Sequence, residues 1–599
     1  MLRVGTVTVG VFVGAVLAVS GCQQSAAPAD PAAPADSARP AAMSAAAEWP
    51  KTRDAFIEQY LKAQPFFAAQ AGRHEYDGQM PDLSADGVAR EITRLHAARA
   101  QIGAVDAAAL QPNQRFEREY ALNVVDRDLF WLEKARQPFT NPYWYINAID
   151  PDMYLSRNYA PLAARMRSYI GYARTIPGIA ADVEENLQLP LPKSFVDLAI
   201  DGFGGYADFF EHDVAPIFAS VNDADLQKQL AEADASAARA MRVLRDYFIA
   251  QRNSRSENFA LGKDLFETML RETEHVELPI EQIEAAGRAD LQRNLAALKV
   301  ECAVYLRRGT LKACIAKMAA DKPRGGAVEG ARAQLVGLKK FVADNEIASI
   351  PSTEDALVAE APPYNRGNFA FIQVPGPYDL GVASVYNIAP PDPKWSRAEQ
   401  AAYLPGKAIL MFTSAHEVWP GHFLQFLHSN SNPSKLEALW VGYAFAEGWA
   451  HYCEEMLVER GFGKGDPAMH IGQISEALLR DVRLLSAIGM HTHGMSEAES
   501  EQMFREQAFQ DPGNARQQAA RGTYDPAYLN YTLGKLMIRK LRDDWVAKQL
   551  AANSAAAIKP TAADIPKLWR EFHDEFLSYG GPAIPQLRRE LLGETSAVL

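Results

Sequence analysis

Apolar residues recur at three- and four-residue spacing over 52–69, 85–102 and 113–136, and each run predicts a helix with one face turned to a core. Pro65, Pro112, Pro151, Pro177 and the Pro190/Pro192 pair punctuate these runs. Residues 223–251 repeat the pattern, acidic early and basic late, as the helix dipole favours. Another helix opens at Leu278-Pro279-Ile280 and runs to residue 305. Between 348 and 394 Pro, Gly, Tyr and Asn become frequent, and two short runs, 368–374 and 381–388, read as strands. Pro390-Pro391-Asp392-Pro393 ends the second. Helical spacing then returns over 397–427, 435–460, 469–491 and 527–550. No stretch repeats at a solenoid period. The fold class is mainly α, a multi-helix array with one small sheet. A chain of 599 residues exceeds one ordinary core, so two lobes are expected, a helical lobe at 47–345 and a second at 346–599 that carries the sheet.

Composition changes this picture little. With 48% hydrophobic and 23% charged residues the chain reads as an ordinary globular protein. Its net charge of -13 argues against nucleic acid or an anionic membrane surface as the main partner. The N-terminus is different. Arg3 precedes an apolar run over 4–19, and Val19-Ser20-Gly21-Cys22 follows. This resembles the bacterial lipoprotein signal, which implies removal of residues 1–21 and a lipid on Cys22; a plain secretory signal is the alternative, and it also implies export. Gln23 after the cysteine favours the outer membrane by the same resemblance, with the domain facing the periplasm or the cell surface. Residues 22–46 are Ala- and Pro-rich and are expected to form a flexible tether. Of the remaining cysteines, Cys302 and Cys314 stand twelve apart in an exported chain and are expected to pair. Cys453 is read as a small buried residue.

The chemistry collects in one stretch. Ser414-Ala415-His416-Glu417-Val418-Trp419-Pro420-Gly421-His422 puts two imidazoles and a carboxylate between apolar flanks, and Glu447-Gly448-Trp449-Ala450-His451 follows. A hydrolytic zinc wants three protein ligands, an open position for water and a carboxylate base nearby. His-Glu-x-x-His on a helix meets that need because residues four apart share a face. Here the histidines are six apart, which a regular helix would set ~240° apart around its axis. Pro420 and Gly421 lie between them, so a kink or break is expected, with His422 swung back beside His416. A capped, kinked core helix is the bland alternative.

His-Glu-x-x-Pro-Gly-His followed by Glu-Gly-Trp-Ala resembles the bacterial domain-of-unknown-function family 885, many of whose members are lipoproteins. The family is similar to helical zincin metallopeptidases of the gluzincin type. The likeness spans about 50–595 and is sharpest over 381–535, with Val385-Tyr386-Asn387, Gln425, the run from Arg483 to His491, and Tyr531-Thr532-Leu533-Gly534-Lys535 as further matches. The resemblance implies one Zn2+ held by His416, His422 and Glu447, with Glu417 as general base and acid. His451, one turn past Glu447, is expected to orient it. His491 and Tyr531 are the expected donors to a developing oxyanion. Arg483 or Lys535 is expected to hold a substrate carboxylate, and Tyr386 to lie near the substrate. The expected function is a zinc peptidase acting on short or unfolded peptides, held extended between the lobes against an edge strand. A non-catalytic metal-binding or scaffold lipoprotein, and a zinc amidase acting on cell-wall peptides, are the rivals.

Overall fold

The computed structural model describes residues 38–362, 366, 369–379, 381–391, 393, 395–555, 564–593 and 597–599. Cys22, the signal segment and most of the tether lie outside the described residues. The first described helix, Ala38–Ala63, overlaps the stretch read as tether. Among the described residues no helix is long and apolar enough to cross a membrane.

The architecture is mainly helical with one three-stranded sheet. Strands β1 (Leu357–Glu360), β2 (Ala370–Gln373) and β3 (Val385–Ile388) stand in the order β1-β3-β2. β1 runs parallel to β3 and β2 antiparallel to it, with Ile372 opposite Tyr386. The two predicted strands contain β2 and β3. β1 escaped notice because it is a half-exposed edge of four residues without the alternation that marks a buried face.

Two cores divide the chain. One gathers the apolar residues from Trp49 to Phe248. The other gathers those from Phe266 onward together with Phe130, Trp131 and Ala135, so the helices between Lys263 and Asp344 share a core with the sheet. Helix α1 (Ile280–Tyr305) is the cause: it lies along α5 (Pro467–Thr492), where Gly287 leaves room for Leu484 and Asn294 donates to Asp481 at 2.7 Å. Trp440 joins the first core from within the second half of the chain, and its carbonyl accepts from the Tyr120 hydroxyl.

Four more helices complete the frame of the site. These are α2 (Lys407–Glu417), α3 (His422–Ser431), α4 (Tyr443–Glu459) and α6 (Asn530–Ala555). The run predicted at 435–460 is two helices, Lys435–Leu439 and α4, parted where Trp440 turns to the other core and the Gly442 amide donates to the Gly581 carbonyl. Helices α4 and α6 cross in close contact. A Cβ on Gly448 would come within 2.6 Å of the Gly534 Cα, and one on Gly534 would overlap the Ala444 carbonyl. The glycines of the two motifs are therefore a single packing device, and it sets Tyr531 beside Glu447.

Cys302 of α1 is disulfide-bonded to Cys314 of the next helix, Leu311–Ala320. Closing a loop of this length removes unfolded-chain entropy worth about 3 kcal/mol. The variant Cys302→Ser/Cys314→Ser is expected to lose about that much in denaturant unfolding.

Candidate metal centre

Helix α2 stops at Glu417 and α3 starts at His422, so the Pro-Gly insertion breaks the helix outright. Gly421 lets the reversal close. A Cβ there would overlap the His416 carbonyl, and its amide donates to the Ala415 carbonyl at 3.0 Å. The Trp449 indole and the Cys453 thiol both point at the Pro420 carbonyl, tying the break to α4. Cys453 is buried, as expected.

The break brings three side chains from three helices together. The Nε2 atoms of His416 and His422 are 3.2 Å apart. Glu447 Oε2 lies 3.3 Å from the first and 3.4 Å from the second. Tetrahedral ligands at about 2.0–2.1 Å from one cation stand about 3.3 Å from each other, so all three edges fit a zinc-sized ion. Among the described residues Glu447 Oε2 has no hydrogen-bond partner despite two imidazoles nearby, and the three atoms converge on a common point. His416, His422 and Glu447 are each at most 4% exposed.

Electrostatics agree with that reading. Burial raises the Glu447 carboxyl, but the two imidazoles outweigh it and hold it well below the usual carboxylate range. Burial lowers the His416 imidazole, but Glu447 and Glu454 outweigh that and raise it to about 9. Two carboxylates gathered on one imidazole in a buried site are complementary to a cation. Glu454 meets His416 Nδ1 at 2.7 Å. A proton on Nδ1 donated to that carboxylate leaves the Nε2 lone pair free for a metal.

The Glu417 carboxylate is held from the sheet. Its Oε2 accepts from the Ile372 amide at 3.1 Å. Ile372 lies on β2, the strand at the edge of the sheet, so this donor points away from β3. Tyr386, opposite Ile372, is fully buried with its hydroxyl 3.4 Å from Ser414 of α2, so it packs under that helix.

The remaining expected residues divide. Tyr531 stacks over His416 with ring centroids 6.3 Å apart, and three guanidiniums, Arg480, Arg483 and Arg521, lie within 6.0 Å of its ring. Arg483 is therefore near the site, with its Nε donating to Gln518 at 2.8 Å.

His491 is misplaced in the sequence reading. It lies eleven residues along α5 from Arg480, about 16 Å of helix. Both of its nitrogens serve the backbone, Nδ1 accepting from the Leu261 amide and Nε2 donating to the Gly522 carbonyl at 2.7 Å. Its ring packs on Phe266, and burial lowers it to about 4. It is a core histidine that pins a loop.

Lys535 is also structural. Its ammonium is fully buried, paired with Asp290 and 3.3 Å from Glu455. Removing one member of a buried pair strands the others, so Lys535→Met is expected to cost about 3–5 kcal/mol in denaturant unfolding. His451 does not orient Glu447: its Nδ1 faces Glu454 at 3.6 Å, and neither ring nitrogen has a hydrogen bond among the described residues. The carboxylate that does hold one of the three converging side chains is Glu454, which meets His416 and sits on the same face two turns past Glu447, a visible spacing whose meaning needed the fold. Arg480, 3.3 Å from Glu454, was not foreseen, because one arginine in an apolar helix carries no signal by itself.

The chain thus belongs among mainly helical proteins with a buried His-His-Glu cluster at a helix break. More particularly, it belongs to a family described as "Bacterial protein of unknown function (DUF885)", whose profile matches residues 65–591. Two solved structures share the fold. A "putative lipoprotein of unknown function" from Shewanella oneidensis is 22% identical, with a TM-score of 0.72 over 91% of this chain and 99% of its own. A "putative lipoprotein" from Colwellia psychrerythraea is 16% identical, with a TM-score of 0.74 over 92% of this chain and 99% of its own. No curated protein matches the chain.

Proposed function

We propose that the protein is a zinc-dependent peptidase of zincin-like architecture, exported and held at the outer membrane by a lipid on Cys22. The observation that supports it most is the triangle of His416 Nε2, His422 Nε2 and Glu447 Oε2, with edges of 3.2, 3.3 and 3.4 Å. These three residues would hold the ion. A zinc ion there supplies a water of lowered pKa and polarises a carbonyl.

The chain's own groups do the rest. Glu417 takes the proton from the attacking water and returns it to the leaving amine, its carboxylate steadied by the Ile372 amide. Tyr531, clamped among arginines, presents a donor toward charge building on the substrate oxygen. Burial raises the Tyr531 hydroxyl above its ordinary value, so it keeps its proton at neutral pH. The outer edge of β2 offers backbone groups for an extended peptide. Glu454 fixes the His416 ring.

A peptide-library digest by the purified protein, with and without chelator, tests the proposal. Cleavage that stops with chelator and returns with zinc supports it, and absence of cleavage by the zinc-loaded protein rejects it. The second reading, a metal-binding lipoprotein without catalysis, draws on the burial of all three ligands. It expects bound zinc and no cleavage in the same digest.

A further inference from the structure

A small cavity of about 60 Å³ lies between the two cores, lined among others by Arg127, Trp131, Glu274, Tyr443, Tyr524 and Asp525. That volume is about two waters' worth. Tyr443 joins it to the metal centre. Tyr443 and Glu447 stand four apart on α4 and share a face, and the Tyr443 ring is 5.9 Å from that of Tyr531.

Of the charged groups on the cavity wall, Glu274 stands out. Arg127 has Asp128 as its counter-ion at 3.1 Å, and Asp525 has Arg521 at 2.8 Å. Glu274 is 2% exposed and has no ion pair among the described residues. Its Oε1 accepts from the Ala444 amide at 3.4 Å and from Asn530 Nδ2 at 3.2 Å, while its Oε2 has no hydrogen-bond partner. A buried carboxyl oxygen without a partner costs free energy that a ligand's donor would recover. Burial raises this carboxyl to about 8, and the Ala444 amide and the Arg127 charge offset that only in part.

We infer that Glu274 is the anchor for the primary ammonium at the N-terminus of a peptide substrate. The inference rests on the peptidase reading and names the end of the chain that enters first. Glu274 meets the first turn of α4 and Glu447 lies one turn on, about 5 Å along the axis. An extended chain covers that in one or two residues. The enzyme therefore trims a short piece from a free N-terminus. The alternative source of the same chemistry is a lysine side chain.

The test uses the full chain carrying Glu417→Gln, titrated calorimetrically with trialanine, N-acetyl-trialanine and N-acetyl-Ala-Lys-Ala. Trialanine is expected to bind roughly 10–100-fold tighter than its acetylated form, the range for a hydrogen bond to a charged group. Adding Glu274→Gln is expected to erase that difference. The swap is close to isosteric and keeps the acceptor used by Ala444 and Asn530, and unchanged thermal melting verifies the fold. Equal binding of the free and acetylated peptides overturns the inference, as does N-acetyl-Ala-Lys-Ala binding as tightly as trialanine. Cleavage by the unmodified chain is measured beside it. Cleavage without discrimination rejects the ammonium site alone; discrimination without cleavage upholds the site and rejects the peptidase reading alone.

Discussion

Glu417→Gln is expected to lower peptide cleavage by about 10²–10⁴-fold while the bound zinc stays, because the amide keeps the shape of the side chain but cannot take a proton. The structure narrows what the variant changes. Glu417 is not one of the three converging ligands, so metal content is expected to be intact. Its oxygen accepts one backbone donor, Ile372 N–H, and the glutamine Oε1 can accept the same one. Stability is therefore expected to change little. A kcat loss at unchanged zinc content assigns the proton transfer to this residue. Full activity in the variant removes Glu417 from that role.

The second large effect is expected at a residue that touches no substrate. Glu454 is fully buried, 2.7 Å from His416 Nδ1 and 3.3 Å from Arg480. Glu454→Gln removes the charge that holds the His416 tautomer and leaves Arg480 with a poorer partner. Loss of such an orienting carboxylate typically costs about 10–100-fold in metal affinity. Zinc competition titration should show that weakening, and added zinc should restore much of the activity. Activity lost with zinc affinity unchanged would mean that Glu454 acts elsewhere.

Much of this was legible in the chain. The helical periodicity and the Pro-Gly interruption are local signals, and they carried the fold class and the place where α2 ends. That His416, His422 and Glu447 gather at one point was legible in part from the two motifs and, for Glu447, from the family resemblance. The misses share one cause. His491 and Lys535 belong to runs that resemble the family, yet their partners, Gly522, Asp290 and Glu455, are distant in sequence. A buried polar residue is the same letter whether it serves a ligand or the core. Glu454, Arg480 and Glu274 were hidden for the same reason, since only packing shows which carboxylates have a counter-ion. That the helices over 263–344 share the second core is not legible locally, because α1 owes its place to α5, nearly two hundred residues later.

Three side chains, from α2, α3 and α4, are placed to converge on one ion. The direct measurement is metal content, by mass spectrometry, of the purified chain and of His422→Ala/Glu447→Ala, each dialysed against zinc and then against buffer. About one zinc per chain in the first and none in the second is the predicted result. Zinc absent from both, or retained equally by both, contradicts it.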